Sequence, residues 1–422
     1  MRERTVKPFV QWSWAGVTWL RKDDSDDKDV HGELMTKTFA ILGSGMQGTA
    51  AAYDLARHAE AAQIKMGDQS REQAQKSSDR VNTLVGRNVC HAYAVDALDP
   101  EDLGKFLEGV DVVLSCVPYW MHPRIAAIAI RHRVNMVDMG GDTAVAWETL
   151  KLDAQAKAEG VAIVPDTGLA PGLVNDLGSY LMEQFDRTES VKLYCGGLPQ
   201  NPKPPFNYKL VFNIEGLVTE YSHQADVIRD GKVVQVDTLA ELETIHVDGL
   251  GEMEAFTTSG GASTAPFTLE GQLGNYEYKT IRFPGHCERM RLFKDYGFWD
   301  MEPVHTRSGE VIPIHLFHKL MGEALRDPND KDQVIVRGVG VGMKDGQRLC
   351  VQMDIHEKHD DETEFTAMER LTGFSTATYA KHLADGGCNP GCHRYETAMT
   401  GVKFVDEIQK RGIGIRIARS SA

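Results

Sequence analysis

From residue 37 to 164 the chain alternates short apolar runs with amphipathic stretches. Residues 38–42 form a nearly continuous apolar run, the pattern of a strand buried on both faces of a parallel sheet. Ala51, Ala52, Leu55, Ala56 and Ala59 then fall on one helical face. Residues 63–67 read as a second strand ending in Asp68, and 90–95, 111–116, 134–138 and 161–164 as four more. Helices are predicted at 124–132 and 154–159. Strands and helices in this rhythm specify a doubly wound parallel α/β domain.

Past residue 164 the rhythm changes. Glycines and prolines punctuate 165–175, a helix is predicted over 175–182, and 190–356 reads as β-rich. Residues 191–195 read as a strand, and 196–205, with four prolines, as an irregular loop. Asp230-Gly231 and Asp345-Gly346 are hairpin signals. A helix at 366–384 returns to cover the first domain. The expected organisation is an extension at 1–34, a dinucleotide-binding domain of 35–168 plus 366–422, and a substrate-binding and oligomerisation domain at 169–365 on a mostly antiparallel sheet. The extension joins Trp12, Trp14 and Trp19 to a charge run from Arg21 to Asp29, without the apolar centre of a secretory signal.

A chain of 422 residues is too long for one compact core. Its 46 basic and 61 acidic side chains give a net charge of −15, which repels nucleic acid and anionic membranes. No run of 18 apolar residues is available to span a bilayer. Seven scattered cysteines do not form a secreted disulfide framework, so a cytoplasmic location is expected. Cys388 and Cys392 resemble half of a zinc site but lack a second ligand pair, and His356 to Asp361 reads as a solvated loop, so no metal is expected.

The first strand runs directly into Gly43-Ser44-Gly45-Met46-Gln47-Gly48, a G-x-G-x-x-G between strand and helix. In such a loop Gly43 allows the tight turn, Gly45 the approach of a pyrophosphate, and Gly48 the packing of helix on strand. The helix N-terminus then faces the anion. Asp68 follows Gly48 by 20 residues, where a carboxylate accepts hydrogen bonds from an adenosine ribose and repels a 2′-phosphate. NAD is therefore expected over NADP, although Arg71 lies close enough to receive a phosphate. Asp96 ends the third strand, where the adenine sits; Cys116, Val117, Pro118, Met139 and Gly140 end the fourth and fifth, on the nicotinamide side. Cys116 also reads as a buried small apolar residue.

Further stretches extend the pattern: Val137-Asp-Met-Gly-Gly-Asp142, Val164-Pro-Asp-Thr-Gly-Leu-Ala-Pro-Gly172, Gly196-Gly-Leu-Pro-Gln-Asn-Pro-Lys-Pro-Pro205, Ala255-Phe-Thr-Thr-Ser-Gly-Gly261, Tyr278-Lys-Thr-Ile-Arg-Phe-Pro-Gly-His286 and Met368-Glu-Arg-Leu-Thr-Gly-Phe374. With them, from about residue 35 to 405, the chain resembles the saccharopine dehydrogenase-like family, and within it the lysine 6-dehydrogenase branch. The extension and the Cys388–Cys392 loop depart from that pattern.

The resemblance implies NAD-dependent oxidation of an amine on an amino acid. For lysine, the ε-carbon gives up a hydride, and the iminium hydrolyses to ammonia and a 6-semialdehyde that cyclises. An ammonium of pKa near 10.4 is only about 0.04% neutral at pH 7, so a base or a desolvating pocket is required. His286 and Asp142 are the candidates for proton transfer, with a turn histidine and a helix cap as their structural alternatives. Arg282, Arg289 and Arg291 are candidates to clamp a carboxylate, or are surface and interface arginines. Tyr119, Asn175 and Tyr208 are candidates to line the pocket, or are core and capping residues. The alternative activities are a saccharopine dehydrogenase or related secondary-amine oxidoreductase, and a non-catalytic dinucleotide sensor. The resemblance also implies a homo-oligomer, a dimer or tetramer.

Overall fold

The computed structural model describes residues 37–422 and the backbone of Thr18 and Trp19; the rest of the expected 1–34 extension lies outside the described residues. Seven strands form one fully parallel sheet in the order Gly391–Cys392, Ala162–Val164, Asn135–Asp138, Val112–Ser115, Lys37–Leu42, Ala61–Asp68, Cys90–Ala94. The winding reverses between Lys37–Leu42 and Val112–Ser115, which opens a crevice at their carboxyl ends. Both faces of the central strand are covered, as its continuous apolar run requires. Phe39 and Ile41 pack with Ala51 and Leu55 on one side, while Ala40 and Leu42 pack with Val113, Ile125 and Ala129 on the other.

The second sheet is mixed. Its main path runs Arg416–Ser421, Gln347–Lys358, Asp332–Lys344, Arg187–Pro199, Asn275–Arg282, Gly251–Thr257, Glu243–Val247, and Thr18–Trp19 pairs with its outer edge. Arg187–Pro199 and Asn275–Arg282 are parallel; the other neighbours are antiparallel. Both Asp-Gly pairs are hairpin turns, with φ of 50° and 78° at Asp230 and Gly231 and 50° and 75° at Asp345 and Gly346.

Several expectations need correction. The strand of residues 191–195 extends through Pro199, so the first four positions of the expected 196–205 loop are sheet. Gly196 makes this possible: a Cβ there would lie 2.5 Å from the Ile281 carbonyl oxygen on the adjacent strand. The β-rich block also holds helices at Ile214–Ser222, His286–Asp295 and Pro313–Ala324. Finally, 366–422 divides between the domains. Gly391–Cys392 adds an edge to the parallel sheet, whereas Arg416–Ser421 pairs with Gln347–Lys358 in the second.

The return helix, Ala367–Ala384, is closed by a capping box of Thr366 and Glu369 and ties the domains together. The Asp332 carboxylate, at the start of a second-sheet strand, accepts from the backbone N–H of Ala367 and Met368 at 2.9 and 3.0 Å. Further along, the absent Cβ of Gly373 lets Ala50 and Ala51 of the nucleotide-side helix approach. A second tie is the fully buried pair of Arg411 with Asp54, 2.9 Å apart. Burial pushes the Asp54 carboxyl up to about 6, against the opposing pull of Arg411. Arg411→Ala strands that acid in the core, so a loss of about 3–5 kcal/mol is expected in urea unfolding. An unchanged midpoint would refute this structural role.

The run from His356 to Asp361 is sheet end and structured turn rather than a solvated loop. His356 bonds Gln333, Glu357 and Asp360 hold Arg370, and Asp361 pairs with Lys331. Among the described residues no helix is long and apolar enough to cross a membrane.

Candidate active site

The three loop glycines divide the work by geometry. Gly43 has φ of +92°, and a Cβ on it would lie 2.5 Å from the Cys116 carbonyl oxygen. A Cβ on Gly48 would lie 2.1 Å from the Gly43 oxygen and 3.0 Å from the Ile41 side chain. At Gly45, by contrast, a Cβ would meet nothing within 4 Å. Gly45 is also the N-cap of the helix Met46–His58 and supplies no side chain to its first N–H groups. These groups, the open space at Gly45 and the exposed Met46 fit a dinucleotide pyrophosphate.

Asp68 stands at the end of its strand and organises the same loop. One carboxylate oxygen accepts from Ser44 N at 3.0 Å, the other from Ser70 N at 2.9 Å. The Ser44 carbonyl accepts from Gln73 and Ser77, both at 2.7 Å. Gln47 is half-buried behind the loop. Asp96 is exposed and accepts from Leu98 N, a turn role compatible with its place at the rim.

The remaining strand ends form the floor. Cys116 donates its backbone N–H to Leu42 at 2.7 Å, and burial drives its thiol well up, so it behaves as a small apolar residue. Val117 packs against Gly43, and Pro118 leads into the turn Tyr119–Met121. The Tyr119 ring lies against Gly141, which has no side chain to obstruct it. Asp138 folds the Met139–Gly140 turn by accepting from Gly140 N and Asp166 N, each at 2.9 Å. Asp142 is the N-cap of Thr143–Leu150, accepting from Ala144 N and Val145 N, so the structure gives it the capping role rather than a demonstrated catalytic one.

Asp166 is a candidate site position that sequence reasoning passed over, although a carboxylate two residues past the sixth strand was a usable signal. It is buried at φ of +65°, and Ser263 of the second domain donates to it. Burial, then the nearby Asp138, hold its carboxyl well above the usual range. Asn175 is a strut rather than a pocket lining: its amide donates to the Gly261 carbonyl at 2.8 Å, and its oxygen accepts from Tyr276 at 2.7 Å.

On the second-domain side, Arg282, Tyr208, Tyr221, His286 and Glu220 form one cluster. Arg282 is 3% exposed, donates from Nε to the Tyr221 hydroxyl at 3.0 Å, and lies 4.9 Å from the Tyr208 ring centre. Its Nη2 stands 3.8 Å from a Glu220 carboxylate oxygen, beyond direct hydrogen-bond reach. Glu220, 32% exposed, lies near the C-terminal end of Ile214–Ser222 and was not foreseen as a site residue. Burial pushes its carboxyl up to about 7, with Arg282 pulling the other way. His286 has no exposed surface, meets the Tyr221 hydroxyl at 3.1 Å, and is kept neutral by burial and Arg282. Arg289 only reaches the Pro284 carbonyl at 3.4 Å, and Arg291 is committed to the Leu239 carbonyl.

The cluster connects to the crevice through two chains of contacts. Ser259 N donates to the Glu220 carbonyl at 2.9 Å; the turn that follows brings Gly261 onto the Tyr278 ring and Ser263 to Asp166. Gly197 lies against Val211 and Met368 of the return helix, whose Gly373 meets the carbonyl of Gln47. Through these contacts the nucleotide-side crevice is linked to a cluster that offers a buried arginine, an ionisable carboxyl and an aromatic wall.

This arrangement defines a two-domain dinucleotide-binding protein of the dehydrogenase kind. Residues 39–164 match the model of the saccharopine dehydrogenase NADP binding domain, and 168–413 match that of the saccharopine dehydrogenase C-terminal domain. The chain belongs to the saccharopine dehydrogenase family. It is 29% identical over 214 residues to the mitochondrial alpha-aminoadipic semialdehyde synthase of Rattus norvegicus, covering 47% of this chain and 21% of that protein. It is 27% identical over 153 residues to the NADP(+), L-glutamate-forming saccharopine dehydrogenase of Saccharomyces cerevisiae, covering 35% and 34%. The matched stretches therefore span about a fifth to a third of those two curated relatives. In fold it resembles apo saccharopine dehydrogenase (L-Glu forming) from Saccharomyces cerevisiae, with a TM-score of 0.75 at 16% identity over 91% of this chain and 100% of that one. Homospermidine synthase from Legionella pneumophila, solved with NAD, gives a TM-score of 0.62 at 11% identity over 92% and 91%.

Proposed function

We propose that the protein is an NAD-dependent oxidoreductase acting on the C–N bond of an amino acid, with the ε-amine of L-lysine as its substrate and a 6-semialdehyde and ammonia as products. Arg282 is the observation that carries the reading. It is buried, and the other buried lysine and arginine among the described residues already have close partners: Lys279 pairs with Glu243 and Arg411 with Asp54, at 2.8 and 2.9 Å. One available guanidinium suits a substrate with one carboxylate, and Glu220 beside it disfavours the several carboxylates of saccharopine. Saccharopine oxidation, the activity named for the yeast relative, is the second reading.

Bound NAD would supply the hydride acceptor. The first N–H groups of Met46–His58 and the Asp68 carboxylate would hold it, with the turns at Cys116 and Met139 lining the nicotinamide side of the crevice. Asp142 and His286 are the proton-transfer candidates raised by the sequence. His286, neutral and fully buried, polarises Tyr221 rather than reaching solvent.

The cofactor preference rests on Asp68, although the matched family model is described as NADP binding. Asp68→Ser removes the charge that repels a 2′-phosphate and leaves Arg71 to receive it. The NAD:NADP ratio of kcat/KM is expected to fall by about 100-fold or more, the scale of one charged hydrogen bond lost and one gained. A wild-type enzyme already preferring NADP would contradict the assignment. The reaction itself is tested by release of ammonia in step with NADH.

A further inference from the structure

Arg282 and Glu220 carry opposite charges, yet do not bond to each other. Arg282 spends Nε on Tyr221 and Nη1 on its neighbour's carbonyl, leaving Nη2 without a hydrogen-bond acceptor among the described residues. The Glu220 carboxylate accepts no hydrogen bond from any described side chain or backbone group, its one near cation being Nη2 at 3.8 Å. The Tyr208 hydroxyl, on the ring that covers Arg282, is buried and also makes no hydrogen bond. The Tyr208 hydroxyl is a buried polar group left unspent, which is costly unless a ligand uses it, and Nη2 of Arg282 and the partly exposed Glu220 carboxylate stand in the same cluster without a close partner.

We infer that Glu220 and Arg282 form a recognition pair for the zwitterionic head of an α-amino acid, Glu220 taking the α-ammonium and Arg282 the α-carboxylate. The ammonium and carboxylate of an amino acid are joined through a single carbon, so their short charge separation meets two side chains of reversed polarity standing side by side. The Tyr208 hydroxyl then donates to the same carboxylate. Such a head group, held at the second domain, leaves the side chain of the substrate to extend toward the nucleotide crevice. The inference rests on the reading that the cleft takes an amino acid. It adds that the α-amine is recognised separately from the amine that reacts.

The test is equilibrium calorimetry on the full chain with saturating NADH, which cannot accept a hydride, comparing L-lysine with 6-aminohexanoate, which lacks only the α-amine. Wild-type protein is expected to bind lysine about 10- to 100-fold more tightly. Glu220→Gln should weaken lysine alone and bring the two ligands within about threefold, with the melting temperature unchanged, while Glu220→Asp should keep part of the preference. Retention of the wild-type preference in Glu220→Gln overturns the inference, as does a wild-type protein that binds both ligands equally or neither. The readout needs no turnover. Glu220-dependent lysine binding without NAD reduction would leave this pair standing and remove the proposed reaction instead.

Discussion

Gly45→Ala is expected to fold with wild-type stability and to lose dinucleotide affinity, whereas Gly48→Ala loses both. The difference lies in what each new methyl group meets. At Gly45 the protein offers no atom within 4 Å, and the backbone, with φ of −76°, accepts any side chain. The methyl group therefore costs the fold little, but it projects where the pyrophosphate must approach the helix N-terminus. Loss of one or two charge-assisted N–H bonds weakens NAD by about 10- to 100-fold in a fluorescence titration. At Gly48 the methyl group would stand 2.1 Å from a backbone oxygen, which cannot swing aside as a side chain can. The helix must shift away from its strand, at a cost of about 1–3 kcal/mol or more. Since the same helix packs on the return helix at Gly373, the shift is felt across both domains. Equal melting temperatures for the two variants would show that the loop does not divide its roles in this way.

Arg282→Met is expected to abolish most turnover while leaving NAD binding intact. A buried guanidinium that meets a carboxylate loses about 3–4 kcal/mol of ligand interaction when truncated, or about 100- to 1000-fold in kcat/KM for lysine. Methionine matches much of the apolar stem, so Tyr208 and Tyr221 keep their packing. Arg282→Lys retains charge but not the planar fork, and should recover only part of the loss. The decarboxylated analogue 1,5-diaminopentane provides the discriminating control, since it never used Arg282. Its slow turnover should be unchanged by the substitution. A parallel fall for both substrates would instead mark Arg282 as a structural residue holding Tyr221.

How much was legible in the sequence differs between the two domains. Six of the seven strands of the parallel sheet could be read from the sequence because the central ones, such as Lys37–Leu42 and Val112–Ser115, are buried on both faces, and the glycine loop adds positions fixed by sterics; the two-residue edge Gly391–Cys392 could not. The second domain was legible in its hairpins, where Asp-Gly pairs impose a turn, in the helix at 175–182, in the start of the strand Arg187–Pro199 and in the return helix. Its helix Ile214–Ser222 escaped notice because its apolar spacing is short and lies inside a strand-like block, although Asn213 caps it. With that helix went Glu220. Arg282 and Tyr208 were legible as candidates, but not as neighbours, because they come together only through tertiary packing. Asn175 and Asp142 show the opposite failure: polar residues near a predicted site that the fold uses to hold a loop and to start a helix. Asp166 lies in a glycine- and proline-punctuated turn and becomes a buried acid only through tertiary packing with Ser263.

The measurement that bears most directly on the central claim is NAD reduction by purified protein across a panel of amines, followed by the absorbance of reduced nicotinamide with ammonia assayed in parallel. The expected result is NADH formation with L-lysine, one ammonia for each NADH, and weaker or absent activity with saccharopine. NADH formed only with saccharopine, with glutamate released in place of ammonia, would contradict the lysine assignment. No NADH with any amine, while NAD still binds, would contradict the enzyme reading itself.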